Sequence, residues 1–231
     1  MQIVDYEKTR VRLLEVFIRD IANSVVQRID FDKLDQKNQT FLSKTRERFC
    51  FDDDNGWKFL VSALDCVGDS EFAITNFINT KIDNGRSFNT DERYLRLYGI
   101  LSAVYIQRQS ILKLCELFKM DNLKLIKKDF DKLNITFLRH CISAHPMNYD
   151  TSSEVVSYRV VRASMEPSGD LQIIDNSNST KTYNIYDCIS QYRIKAELIL
   201  SALCEKVITN TYNSAPEKQE QLKSKLSKIE K

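Results

Sequence analysis

"DERYLRLYGILSAVYIQRQSILKLCELFK", residues 91–119, carries Leu97, Leu101, Val104, Ile111, Cys115 and Phe118 at steps of three, four and seven. That period puts them on one face of an α-helix. Arg108 falls on the same line. Burying an unpaired charge is costly, so Arg108 is expected to face a polar cleft, with Gln107 beside it. Gly99 costs about 1 kcal/mol relative to Ala in mid-helix, which predicts a close helix–helix approach at that point. The same period recurs on both sides. Residues 3–29 read as a long amphipathic helix through Val11, Leu14, Ile18, Ile21 and Val25. Further helices are expected over 39–50, 57–66 and 70–82, the last two parted by Gly68-Asp69. "DNGRSFNTDE" is a loop in which Thr90 or Asp91 is placed to cap the helix that follows. Asp121 opens another helix, with Leu123, Ile126, Phe130, Leu133, Phe137, Cys141 and Ala144 as its buried face. Pro146 disfavours helical geometry at His145 and ends it.

Beyond that proline the texture changes. "VVSYRVVRASM", "LQIID" and "KTYNIY" are short and β-branched, separated by "EPSGD" and "NSNST". They read as a small antiparallel meander of three strands. Residues 187–211 return to helical spacing through Cys188, Tyr192, Ala196, Ile199, Leu203 and Val207. The expected fold is therefore mainly α: a helical bundle with a small antiparallel β-meander inserted before the last long helix. Residues 1–212 are expected to form a single domain, with 155–186 as a peripheral inserted sheet. Residues 213–231, lysine-rich and weakly apolar, read as a frayed or disordered tail.

Composition narrows the function. The 231 residues include 34 basic and 32 acidic side chains, a net charge of +2. That balance argues against bulk electrostatic binding to duplex DNA or an anionic membrane, and leaves room for a small basic cleft. The N-terminus lacks the apolar segment of a signal peptide, and no apolar run approaches a membrane span. The six cysteines show no CxxC spacing and sit mostly in apolar helical patterns, as reduced thiols of a cytoplasmic protein do. No glycine-rich phosphate loop is present. "DDDNG" at 52–56 misses the calcium-loop spacing and reads as a solvated turn before Trp57. No metal and no cofactor are expected.

"LRHCISAHPMNY", residues 138–149, holds both histidines of the chain, His140 and His145. At about 100° per residue, with Phe137 at the centre of the buried stripe, Arg139 points about 200° away from it. Arg139 and His145 then lie about 9 Å apart along the axis and about 120° apart around it. A helix C-terminus favours cations through its dipole alone. An arginine, both histidines and a terminating proline within eight residues go beyond that. Arginine's planar fork holds phosphate and stays charged, and histidine titrates near neutral pH and can move protons.

The run Arg139, His140, Cys141-Ile142-Ser143-Ala144, His145 resembles the signature of the HEPN superfamily of α-helical domains. That signature is an arginine, a polar residue, a short spacer and a histidine at a helix C-terminus. The likeness covers about 91–146, extends loosely to 187–211 and leaves 1–82 and the strands unexplained. It implies a metal-independent endoribonuclease, in toxin–antitoxin or antiviral defence systems, whose composite site is assembled by a homodimer. The interface is then expected to include the C-terminal turn bearing the motif. Arg139 would clamp phosphate, His145 would move protons and His140 would orient or assist. Arg108, Gln107, Ser143 and Tyr149 are the candidate substrate contacts. Position 147 is Met where some family toxins carry a modifiable tyrosine, and the first tyrosine is Tyr149. The expected partners are single-stranded RNA, a second copy and an antitoxin or defence-system protein, with no membrane. Arg93 and Arg96, interleaved with Tyr94, Tyr98 and Tyr105, offer the basic and aromatic mixture that grips single strands. The alternative is a non-catalytic helical dimer that binds RNA, nucleotide or protein.

Overall fold

A computed structural model describes residues 3–30, 34, 40–82, 90–144, 149–150 and 155–229. The chain is mainly helical, with a three-stranded antiparallel sheet ahead of its last long helices. The helices are α1 (Arg10–Val26), α2 (Phe41–Phe49), α3 (Gly56–Thr80), α4 (Thr90–Leu117), α5 (Leu123–Asp131), α6 (Asn134–Arg139), α7 (Ile185–Thr211) and α8 (Pro216–Ile229). A π-helical turn, His140–Ala144, continues α6. The strands are β1 (Tyr149–Asp150), β2 (Val155–Val156), β3 (Tyr158–Val160), β4 (Asp170–Asp175) and β5 (Thr180–Asn184). Among the described residues no helix is long and apolar enough to cross a membrane.

The chain divides into two compact units. One comprises Met1–Tyr6, Ser70–Gln107 and Lys127–Lys195; the other Glu7–Asp69, Arg108–Ile126 and Ala196–Lys231. In the second unit α1 begins at Thr9, whose hydroxyl accepts the Arg12 N–H at 3.4 Å. α2 begins at Thr40, where Thr40 and Ser43 exchange side-chain to backbone hydrogen bonds, a reciprocal cap that satisfies two free donors. The "DDDNG" stretch is a turn, with the Asp53 carboxylate accepting the Asn55 N–H at 2.7 Å. α3 then starts on Gly56, because a Cβ there would lie 2.4 Å from the Phe51 ring. Phe49, Phe51 and Phe118 pack ring against ring in this core.

Several expectations are corrected. The two helices expected over 57–66 and 70–82 are one, α3 (Gly56–Thr80): Gly68 is buried mid-helix and does not break it. The first α-helix starts at Arg10; ahead of it Val4 is tied to Asn79 by a pair of 2.8 Å hydrogen bonds. Gly99 marks no close approach, since a Cβ built there meets nothing within 4 Å. Residues 216–229 form α8, whose Leu222 and Leu226 are buried and which packs on α1. Two leucines four residues apart supply the one apolar face a short helix needs.

In the first unit the sheet has the order β3-β4-β5, with Tyr158 opposite Asp175 and Leu171 opposite Tyr183. β4 alternates, burying Leu171 and Ile173. Its hairpin turn is organised by Asp175, which accepts from the Ser177 N–H, the Ser177 hydroxyl and the Ser179 N–H at 2.6–2.9 Å. At the other end of β4, Gly169 adopts φ +91, which a side chain would make strained. The meander is not peripheral to its unit. Met165 is fully buried, its carbonyl accepts from the buried Arg93 guanidinium, and the Ile82 N–H donates to the Tyr186 hydroxyl at 3.0 Å.

Candidate functional site

The helix expected to run unbroken from Asp121 to His145 is interrupted. α5 ends at Asp131, the chain restarts at Asn134, and the Thr136 hydroxyl closes the break by donating to the Phe130 carbonyl at 2.8 Å. The restart changes the phase. The buried face becomes Ile135, Leu138, Cys141 and Ile142 in place of Leu133, Phe137 and Ala144. Phe137 is only half-buried, edge-on to Tyr158 at 5.6 Å and tilted against Tyr183 at 6.0 Å. Arg139 is therefore not opposite the core. It is half-buried, and its guanidinium lies over the Tyr105 ring of α4, 3.8 Å from the centroid.

From His140 the chain widens into the π-turn, in which the bonds run from i to i+5 and one more residue fits into the turn than an α-helix allows. Such turns occur frequently at functional sites. Ser143 is exposed, and its hydroxyl donates to the Arg139 carbonyl at 3.0 Å, satisfying an acceptor at the helix end. His140 is half-buried at the start of the turn. His145 lies outside the described residues, and so does the side chain of Tyr149, whose backbone is in β1. The Cys141 thiol is pushed up to about 12 by burial, against the smaller opposing influence of Lys181. At neutral pH it is a packed side chain and not a nucleophile.

Tyr94, Tyr98 and Tyr105 fall within about 40° of one another around α4. Tyr94 and Tyr98 stand 6.2 Å apart with their planes inclined by 32°. They border an open cleft of about 500 Å³ whose other walls are Cys141 and Ile142 of the π-turn and Tyr158, Arg159, Val160 and Arg162 of the sheet. Arg159 and Arg162 are exposed and form no ion pair or side-chain hydrogen bond among the described residues. Arg139 likewise has no carboxylate partner there; its contact is the Tyr105 ring.

The remaining candidates are placed differently. Gln107 is fully buried and donates to Glu71 at 3.2 Å. Glu71, also fully buried, accepts from Arg193 at 2.6 Å and from the Thr75 hydroxyl at 3.4 Å. Gln107 thus belongs to a buried ion-pair cluster with Glu71 and Arg193. Arg108 is 5% exposed and belongs to the second unit. Arg93 is buried on the Met165 carbonyl. Arg96 is engaged with Glu92 at 3.1 Å, the Thr80 hydroxyl at 2.8 Å and the Lys81 carbonyl at 3.2 Å.

The residues that sequence reasoning missed are Tyr158, Arg159 and Arg162. The alternation in "SYRVVR" turns Arg159 outward from a strand, which was a readable signal. The docking of that strand beside the motif was not. Among the described residues no cluster of three or more His, Cys, Asp or Glu side chains is arranged to hold a metal ion. No family model, curated protein or solved structure matches the chain.

Proposed function

We propose that this protein is an endoribonuclease of the HEPN type, acting on single-stranded RNA without a metal. The observation that carries the reading is Arg139: a cation with no carboxylate partner among the described residues, held by Tyr105 at a π-turn that leads directly to His145. In the reaction a base takes the ribose 2′-hydroxyl proton, and the oxygen attacks the adjacent phosphorus. The bond to the 5′-oxygen breaks and an acid protonates that leaving group, which leaves a 2′,3′-cyclic phosphate and a 5′-hydroxyl. Arg139 holds the phosphate oxygens through its fork. His145 moves the proton, assisted by His140.

A second copy supplies the second proton-moving histidine, which makes the active species a homodimer. Support comes from α4, where Leu95 and Ile106 are 72% and 46% exposed. They flank Gly99 and Ser102, and the strip is symmetric about its midpoint. An antiparallel second copy would set large residues against large and small against small, as an isologous interface requires. The biological setting that fits is a toxin or antiviral defence system in the cytoplasm, with an antitoxin or defence protein as regulator.

The test is incubation of the purified protein with mixed RNAs in excess chelator. Cleavage leaving a 2′,3′-cyclic phosphate is expected. His145→Ala and Arg139→Ala should abolish it, and Arg139→Lys should restore little because an ammonium cannot reproduce the fork. If wild type cuts nothing, or His145→Ala cuts as fast as wild type, the catalytic reading is wrong. A non-catalytic module that binds RNA, nucleotide or protein then takes its place, a role the aromatic and basic cleft also suits.

A further inference from the structure

We infer that the cleft between α4, the π-turn and the sheet is a base-stacking subsite for single-stranded RNA, seating a nucleotide that flanks the phosphate held by Arg139. This rests on the ribonuclease reading for what Arg139 does, but the subsite itself stands on its own geometry. Its composition is the mixture that single strands require: flat rings for bases and cations for phosphates. Tyr94, Tyr98 and Tyr158 supply the rings, and Arg159 and Arg162 supply charge that no described carboxylate neutralises. The ion pairs of this unit lie elsewhere, as in Arg193 with Glu71 and Lys195 with Asp129. The volume, about 500 Å³, suits a single base with its sugar.

Direction along the helix gives the second argument. Tyr105, under Arg139, is seven residues from Tyr98 and eleven from Tyr94, about 10 Å and 16 Å along the axis. The three rings share one flank of α4, between its buried face and its exposed one. A strand laid along that flank places a phosphate at Arg139 while a neighbouring base occupies the cleft. The row is longer than one nucleotide, so an oligonucleotide is the better ligand. A duplex is excluded because its bases are already stacked and paired, and the cleft reaches only splayed ones.

Binding is read with fluorescein-labelled 2′-O-methyl RNA dodecamers, which lack the attacking hydroxyl and so cannot be cut by this mechanism. Parallel arms use the corresponding duplex and the mononucleotides AMP and UMP. Wild type should bind the single strand, and the duplex and mononucleotides much more weakly. Tyr98→Ala should weaken binding about 5- to 150-fold, the range for loss of one base–aromatic stack, while Tyr98→Phe should bind as wild type does. Arg162→Ala should lower the slope of log affinity against log salt by about 0.7, one phosphate contact on a single strand. Lys223→Ala, an exposed change in the other unit, should do neither. The inference is overturned if Tyr98→Ala and Arg162→Ala, folded by circular dichroism, bind as tightly as wild type. It is also overturned if duplex binds as well as single strand, or if mononucleotides bind as tightly as the dodecamer. Tight binding of the dodecamer with ordinary RNA left uncut would refute the nuclease reading and leave the subsite standing.

Discussion

At the scale of single residues the molecule separates two kinds of arginine. Arg93, Arg96 and Arg193 are spent on carbonyls, hydroxyls and carboxylates of the fold, whereas Arg139, Arg159 and Arg162 have no such partners among the described residues. Tyr105 is what positions Arg139. Tyr105→Leu is expected to lower cleavage at least tenfold, whereas Tyr105→Phe should retain it. The lost cation–π contact costs about 0.5–1 kcal/mol, so melting temperature should move little in either variant. Equal unfolding of both would refute the positioning role. Glu71 is the opposite case. Glu71→Ala leaves Arg193 facing a buried site without its carboxylate, and urea denaturation should show a loss of about 3–5 kcal/mol. The Arg139-His140 pair was legible as a candidate because nothing in a packing pattern calls for those residue types there. The role of Gln107 was not legible, because its partner Glu71 lies 36 residues away in the chain.

At the scale of elements, the helices were readable from their period, and the errors fell where tertiary packing overrides it. Gly68 passes through α3 as a buried position between buried Val67 and exposed Asp69. The break at Lys132-Leu133 interrupts a faultless apolar spacing; it is held by the Leu133 N–H and the Thr136 hydroxyl, which both donate to the Phe130 carbonyl, and by the Thr136 N–H, which donates to the Leu133 carbonyl. The sheet was readable as three strands but not as part of a core. Leu171→Ala should therefore cost about 2–5 kcal/mol, measured by chemical denaturation, and replacing residues 155–186 by a short linker should unfold the unit that contains them. Acid acts on the same element. Hydrogen bonds from Ser177 and Ser179 hold the Asp175 carboxyl below its usual value, and those from Asn184 and Ser168 do the same for Asp170. A depressed carboxyl stabilises the fold above its unfolded pKa, and that contribution disappears as pH falls through the folded value. The sheet's amides should accordingly lose hydrogen-exchange protection on acidification below about pH 4, and Asp175→Asn should flatten that dependence.

At the scale of the whole molecule, the expected homodimer makes a measurable demand. Light scattering at micromolar concentration should give twice the 27.0 kDa chain mass, and Leu95→Lys with Ile106→Lys should return it to one. A monomeric wild type that still cleaves RNA would rule out the composite site. The two compact units also carry a consequence for how the chain comes into being. Each is assembled from three separated stretches, and those stretches alternate, so that Ser70–Gln107 waits for Lys127–Lys195 while Glu7–Asp69 waits for Ala196–Lys231. Glu71 meets Arg193 only across a sequence separation of 122 residues. On the ribosome, neither unit can close until nearly the whole polypeptide has emerged, and contacts this distant in sequence form slowly. Nascent chains arrested at residue 130 should be protease-sensitive throughout, and no contiguous fragment should yield a folded half.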